Sequence, residues 1–308
     1  MHTLGRAVLS VRGDAPNDVW VVGGPLGNTG FEALAMRYDG SVWHDLAPGG
    51  LDGYWWTTGT GPKDIWLVGE HGRTTHWDGA AFQELAPVTT ATLYGAWAAS
   101  PTDAWAVGGT TGGVPGPKDL VLHWDGASWT PVTLPGMPLG ITLFKVWGSG
   151  PNDVYVVGEF SVVWHKKGDT WQREDVPIGV HGTLLTVGGC SANEVYAVGE
   201  SNVLRSDGTT WTKLAVDLSS RVNGVACNAP GDVAIVGSGG VKQRLVGASW
   251  IDEADKPPFA DLHAAWADGT GTFWAVGGDF VGPPDAGKAR EGVVARYGRG
   301  HAGKTIVK

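Results

Sequence analysis

This sequence is short of several things, and each shortage narrows the reading. Only two of its 308 residues are cysteines and three are methionines. That leaves no cysteine-rich metal site and no dense disulfide framework. Charged residues make up 17%, below the usual quarter, and acidic residues outnumber basic ones 31 to 22, a formal net charge of −9. No basic patch is visible, so the electrostatic footprint of a nucleic-acid binder is missing. No run approaches the roughly 18 apolar residues of a membrane-spanning helix. No leader pattern stands ahead of the first repeat near Leu9. Helical periodicity is missing from every long stretch. No Ser–His–Asp order, close carboxylate pair or phosphate-cradling loop stands out, and "GTGPKD" at 59–64 lacks the Ser or Thr of a P-loop.

What the chain has is glycine, tryptophan and repetition. It carries 50 Gly and 17 Trp. One short phrase recurs: VWVVG at 19–23, IWLVG at 65–69, AWAVG at 104–108, VYVVG at 154–158, VYAVG at 195–199, VAIVG at 233–237 and FWAVG at 273–277. The final glycines are spaced 46, 39, 50, 41, 38 and 40 residues apart, the period of propeller blades or helical repeats. Short Val-, Trp- and Tyr-rich runs bounded by Gly, Pro, Asn and Asp are strand-and-turn punctuation, which decides for the propeller. The fourth unit divides into four strands, A "LFKVWG", B "DVYVVG", C "SVVWHK" and D "TWQRE". "SGPND" is the A–B turn, and "KGDTW", like "DGASW" and "DGTTW" elsewhere, marks a C–D hairpin. The expected fold is all-β: a seven-bladed β-propeller of four-stranded antiparallel blades. It forms one domain over 1–308, with blades near 9–50, 51–90, 91–136, 137–179, 180–220, 221–259 and 260–308. Each blade is expected to be continuous in sequence, "KTIVK" supplying the last outer strand and residues 1–8 standing apart from that blade.

The Gly-ended strand followed by Tyr-Asp or Trp-Asp and then Trp resembles the kelch repeat. "SDGTTW" at 206–211 is similar to the Asp-box of sialidase-like propellers. "VWGSGPNDVYVVG … HWDG … W" resembles more closely a Trp- and Gly-rich propeller repeat common in bacterial secreted and surface proteins. Nearly the whole chain is covered. The resemblance implies a fold and transfers no catalytic residue: no sialidase Arg triad maps, and "HWD" is contiguous where WD40 repeats keep the His and Trp-Asp apart.

Two residue series run through the blades. Asp18, Asp64, Asp103, Asp153, Glu194 and Asp232 precede strand B, with Thr272 breaking the series in the seventh blade. Arg37, His76, His123, His165, Arg205, Arg244 and Arg296 stand ahead of the C–D turn. The A–B loop and the C–D turn share one blade edge, so the pairs Asp64–His76, Asp103–His123 and Asp153–His165 are expected to pin the loop rather than to do chemistry. The Trp, Tyr and Phe that interchange at repeated positions read as packing between blades. Cys190 and Cys227 close the A strands of neighbouring blades. A disulfide between them would point to an oxidising, extracellular or periplasmic setting, and two buried thiols are the alternative.

Function belongs to what is not repeated. The B–C loops of blades 1, 3 and 7 are long. At the entry of strand A, the residues Trp55, Trp56, Lys145, Asn223 and His263 depart from small or aliphatic counterparts. Glu70, Glu159 and Glu200 follow strand B directly, and His181 and Arg221 lie in D–A connections. Together these ten residues are the expected ligand-binding group, lining the mouth of the central channel. The leading reading is a secreted or surface propeller that binds a glycan or a protein through the B–C/D–A face. The first rival is a lyase or hydrolase using His263, His181 and a nearby Glu on a polar substrate; the second is a scaffold in a larger assembly. No cofactor, metal or nucleic-acid partner is expected.

Overall fold

The computed structural model describes residues 5–27, 30–280, 290–298 and 301–305, the last five as backbone. Among them are seven four-stranded antiparallel sheets, at 7–45, 54–85, 92–131, 143–174, 186–213, 222–252 and 262–305. Every sheet is a meander, with strands A to D hydrogen-bonded in chain order. The chain is thus a seven-bladed β-propeller with four-stranded antiparallel blades and almost no helix. The helical turns among the described residues are the single 3₁₀ turns Glu70–Gly72, Glu159–Ser161 and Ser238–Gly240, each a B–C turn. The chain forms two compact units, one of residues 1–57 with 216–308 and one of 58–215. The first carries blades 1, 6 and 7, the second blades 3, 4 and 5 and most of blade 2. In the seventh blade His301–Thr305 is the outer strand, pairing Ala295 with Thr305 and Gly298 with His301. It starts three residues ahead of "KTIVK", whose last three residues lie outside the described residues, as do residues 1–4.

Burial on both faces explains why the phrase is apolar throughout. Successive strand residues point to opposite sides, and a strand buried on both sides reads as a continuous apolar run. In blade 4, Val154 and Val156 enter one core with Trp105 and Trp164, while Tyr155 and Val157 enter the next with Val187, Ala197 and Trp211. The final Gly has a different cause. At Gly158 a Cβ would come 2.5 Å from the Thr142 carbonyl oxygen; at Gly23, Gly108, Gly199, Gly237 and Gly277 the corresponding distances to Ala7, Thr92, Thr183, Arg221 and Asp261 are 1.9–2.1 Å. That carbonyl, at the entry of strand A, is held by the amide after the glycine in several blades, as in Glu159 N–H to Thr142 O at 3.0 Å and Gly278 N–H to Asp261 O at 2.8 Å. No side chain fits where two backbones meet this closely.

The Asp–basic series forms a repeated clamp. His76 Nε2 lies 2.7 Å from Asp64 Oδ1, His123 Nε2 2.9 Å from Asp103 Oδ1, and His165 Nε2 2.5 Å from Asp153 Oδ1. Arg37 and Arg244 grip Asp18 and Asp232 with two bonds each, at 2.7 and 2.9 Å. Where Thr272 replaces the acid, Arg296 turns to Asp268 at 3.9 Å. The basic group also stacks on the phrase's aromatic residue, His165 on Tyr155 at 3.8 Å and His123 on Trp105 at 4.3 Å between ring centres. At the C–D turns Asp39, Asp78, Asp125 and Asp207 accept the amides two and three residues on, at 2.8–2.9 Å. This is the physical content of the Asp-Gly hairpin signal. Cys190 and Cys227 are both disulfide-bonded and neither is a free thiol.

His165 carries a second carboxylate that the repeat pattern does not contain. Its Nδ1 lies 2.7 Å from Glu174 Oε1, and Glu174 also receives Trp211 Nε1–H at 2.7 Å and Lys167 Nζ at 3.1 Å. Burial opposes the Glu174 charge, but bonds from His165, Trp211 and Lys167 outweigh it and hold the carboxyl at about 2 against its usual 4.5. A depressed folded value means stability that is present above about pH 4.5 and lost as the pH falls through 2. Glu174→Gln is therefore expected to lower stability at neutral pH and to flatten the acid decline between these limits, read by urea unfolding across pH. An acid limb as steep as in the parent would show that Glu174 does not carry it.

Candidate functional site

The ten expected ligand residues fall into two groups, one in each compact unit. In the unit of 1–57 and 216–308, three inner strands are stapled side by side. His263 Nδ1–H donates to Leu9 O at 2.5 Å, and Asn223 Nδ2 donates to Leu262 O at 2.9 Å and Ser238 Oγ at 3.3 Å. The His263 ring sits edge-on between Trp55, 5.5 Å away, and Phe280, 5.1 Å away. Trp56 packs onto the core formed by Val8, Val11 and Trp274. Arg221 is exposed, and its carbonyl accepts Ser238 N–H at 2.9 Å. In the unit of 58–215, Lys145 is only 3% exposed and its Nζ donates to Tyr94 O at 2.9 Å. Burial drives its pKa well below the ordinary lysine value. The side chain runs beside Gly95, where a Cβ would come 3.0 Å from Lys145 Cδ. Lys145, Asn223 and His263 thus share one act: each hydrogen-bonds a carbonyl of the neighbouring blade's inner strand. Each departs from the repeat and each ties two blades together, and a single sequence cannot separate such a tie from a ligand contact.

The acidic members sit at the B–C edge of their blades. Glu159 Oε2 accepts Thr142 N–H at 2.8 Å. Glu70 opens the B–C turn of blade 2 and is half-buried. Glu200 adopts φ 52° and lies over Gly182, where a Cβ would meet its Oε2 at 2.2 Å. His181 is exposed, and its carbonyl takes Asn202 Nδ2 at 2.8 Å.

The same edge carries a feature that the repeat pattern does not contain. Meander topology puts the B–C loop and the D–A connection of a blade on one edge. Among the described residues ten large apolar side chains are exposed, and seven lie in these segments: Leu51, Val88, Val114, Leu139, Phe160, Ile178 and Phe259. Five of the seven belong to the unit of 58–215. Phe160 is 75% and Ile178 105% exposed. Their supports are tied together. Asp119 accepts the amides of Leu139 at 3.0 Å and Gly140 at 2.6 Å, and Thr142 Oγ1 donates to Thr110 O at 3.0 Å. Glu159 holds Thr142 as above, and Ser161 donates to Gly182 O from its amide at 2.8 Å and its hydroxyl at 3.1 Å. One hydrogen-bonded rim thus runs from the B–C loop of blade 3 to the connection entering blade 5.

Phe160 is strained as well as exposed. It takes φ 55°, ψ 29° at the second residue of its 3₁₀ turn, the left-handed region that bulky residues avoid. The matching residue of blade 6 is Gly239, at φ 64°. The sequence carries this difference as Glu-Phe-Ser in the B–C turn of blade 4 against Ser-Gly-Gly in that of blade 6. Strain of this kind concentrates where a side chain is needed for function.

A cleft of about 610 Å³ in the other unit is lined by Asn228, Asp232, Arg244, Thr270 and glycines 231, 247, 269 and 271. Its polar groups largely serve one another: Arg244 grips Asp232, and Asn228 bridges Asp232 and the Gly271 amide. Among the described residues no group of three His, Cys, Asp or Glu is placed to hold a metal ion, and no helix is long and apolar enough to cross a membrane.

No family model matches the chain, and no curated protein matches it. Solved structures do. A structure of YCF48 bound to D1 peptide is 17% identical with a TM-score of 0.63, the match covering 90% of this chain and 92% of that one. YCF48 from Cyanidioschyzon merolae is 15% identical with a TM-score of 0.64, covering 90% and 94%. The WD40 β-propeller domain of Doa1 is 10% identical with a TM-score of 0.66, covering 90% and 91%. At these identities the likeness is one of fold, that of the β-propeller.

Proposed function

We propose that this chain is a recognition propeller that binds a protein or peptide through the B–C/D–A edge of blades 3 to 5. One observation carries the reading: among the described residues five of the ten exposed large apolar side chains lie in the B–C and D–A segments of the unit of 58–215, and four of these, Val114, Leu139, Phe160 and Ile178, belong to blades 3 to 5, on loops braced by hydrogen bonds. Exposed apolar side chains held on braced loops suit a protein-interaction site, since little ordering is left to be done on binding. The peptide in the YCF48 structure is consistent with this use of the fold. The disulfide supports an extracellular or periplasmic setting. The glycan reading has less support, because Trp56 packs on the core and the Trp55 ring rests against His263. The enzymatic reading is weakened by the tie of His263 Nδ1 to a backbone carbonyl.

Selection of a random peptide library on the folded protein tests the proposal. Leu139→Asp and Ile178→Asp are expected to weaken the selected peptides about tenfold or more, as loss of a buried anchor does. Val246→Asp and Ile251→Asp, exposed at the end of strand C and on the outer strand of blade 6, should leave affinity unchanged. Loss confined to the second pair, or no peptide selected at all, overturns the reading.

A further inference from the structure

We infer that the partner segment bound at this edge is basic as well as apolar, with Lys or Arg interleaved among its aliphatic or aromatic residues. The inference rests on the reading of the edge as a protein-recognition surface and adds the chemistry of what it takes. In the unit of 58–215, the B–C loops and D–A connections carry Glu70, Asp119, Glu159, Asp175 and Glu200. Against these five carboxylates stand Lys118 and Arg73. Arg73 is 5% exposed and pairs with Glu84 on the outer strand of its own blade at 3.0 Å, so its charge is met locally. His71 and His181 are exposed at the same edge and are neutral in the formal count at pH 7. The edge therefore holds an acidic excess of three, a third of that of a chain whose formal net charge is −9.

The carboxylates alternate with the apolar side chains along the rim. Glu159 adjoins Phe160 in one turn, Asp175 precedes Ile178 in one connection, and Asp119 caps the segment bearing Leu139. Hydrogen bonds from Thr142, Leu139 and Gly140 amides orient Glu159 and Asp119 without neutralising them. An apolar segment that bears acidic side chains would bring like charges together as it docks. One bearing ammonium or guanidinium groups would be steered in and held in register by complementary charge. Apolar anchors then supply affinity, and the acidic frame selects among apolar segments.

The test uses three sets of peptides that share the apolar residues of a selected binder and differ at the intervening positions, which carry Lys/Arg, Gln or Glu. Fluorescence anisotropy is expected to rank them basic, neutral, acidic, with the basic set about tenfold tighter than the neutral set at low salt. The advantage should shrink towards about 1 M salt, where the screening length falls to about 3 Å. Asp175→Asn with Glu200→Gln should reduce it in proportion. Equal binding of the basic and neutral sets, or preference for the acidic set, overturns the basic-partner inference and leaves the recognition surface standing. Binding by none of the sets, or binding indifferent to Phe160→Gly, overturns both.

Discussion

Replacing Phe160 by glycine is expected to weaken partner binding about tenfold or more while leaving the fold at least as stable as before. The two effects have separate causes, and that separation makes the experiment decisive. Phe160 is 75% exposed, so its removal takes little apolar surface from the core. It sits at φ 55°, where a bulky residue costs on the order of 1 kcal/mol and glycine costs nothing. Glycine gives back part of that gain through the larger entropy of the unfolded chain. The net change should lie within about 1 kcal/mol, on the stable side. Blade 6 already uses glycine at the matching Gly239, so the turn tolerates it. Binding should move the other way, since an exposed aromatic on a rigid turn is a strong anchor for a partner. Chemical denaturation and peptide affinity, measured on the same preparation, report both. A marked loss of stability, or unchanged affinity, would show that Phe160 is there for the fold.

Trp274→Ala should do the opposite. Trp274 is fully buried, lies 5.7 Å from Tyr38 and 6.1 Å from Trp43 by ring centres, and has the Arg296 guanidinium 5.2 Å above it. Emptying that volume should cost about 3–5 kcal/mol, a large share of the stability of most domains. Denaturant titration reads the loss. Trp55→Ala, at a half-buried ring, should cost far less. If the Trp274 variant folded with near-parent stability, the aromatic residues of the repeated phrase would not be packing residues, and their interchange along the chain would need another explanation.

The two substitutions mark the line between what the linear pattern contained and what it did not. Seven Gly-ended apolar phrases at a blade-sized period are sufficient for the propeller. Such a run is stable only when both faces of the strand are covered, and the final glycine is forced by a carbonyl that approaches within about 2.5 Å of where a Cβ would be. The Asp–His and Asp–Arg clamps were legible for a similar reason: repeated at one position of each unit, they answer a need that all units share. The site was harder to read. Lys145, Asn223 and His263 looked distinctive because they vary, yet each fastens its inner strand to a neighbouring carbonyl. Nothing in one sequence tells a varied fastening from a varied ligand contact, since both are polar and both break the repeat. Phe160, Leu139 and Ile178 looked ordinary because apolar residues are normally inside.

The sequence by itself determined the fold class, the blade count, the clamps and the acidic balance, because these follow from periodicity and composition. Only the tertiary structure decided which apolar side chains are left uncovered, which carboxylates stand beside them, and which polar residues are already engaged. Exposure and pairing depend on which segments meet in space, and the residues that meet here, such as His263 and Leu9 or Ser161 and Gly182, are joined by no local rule of the chain.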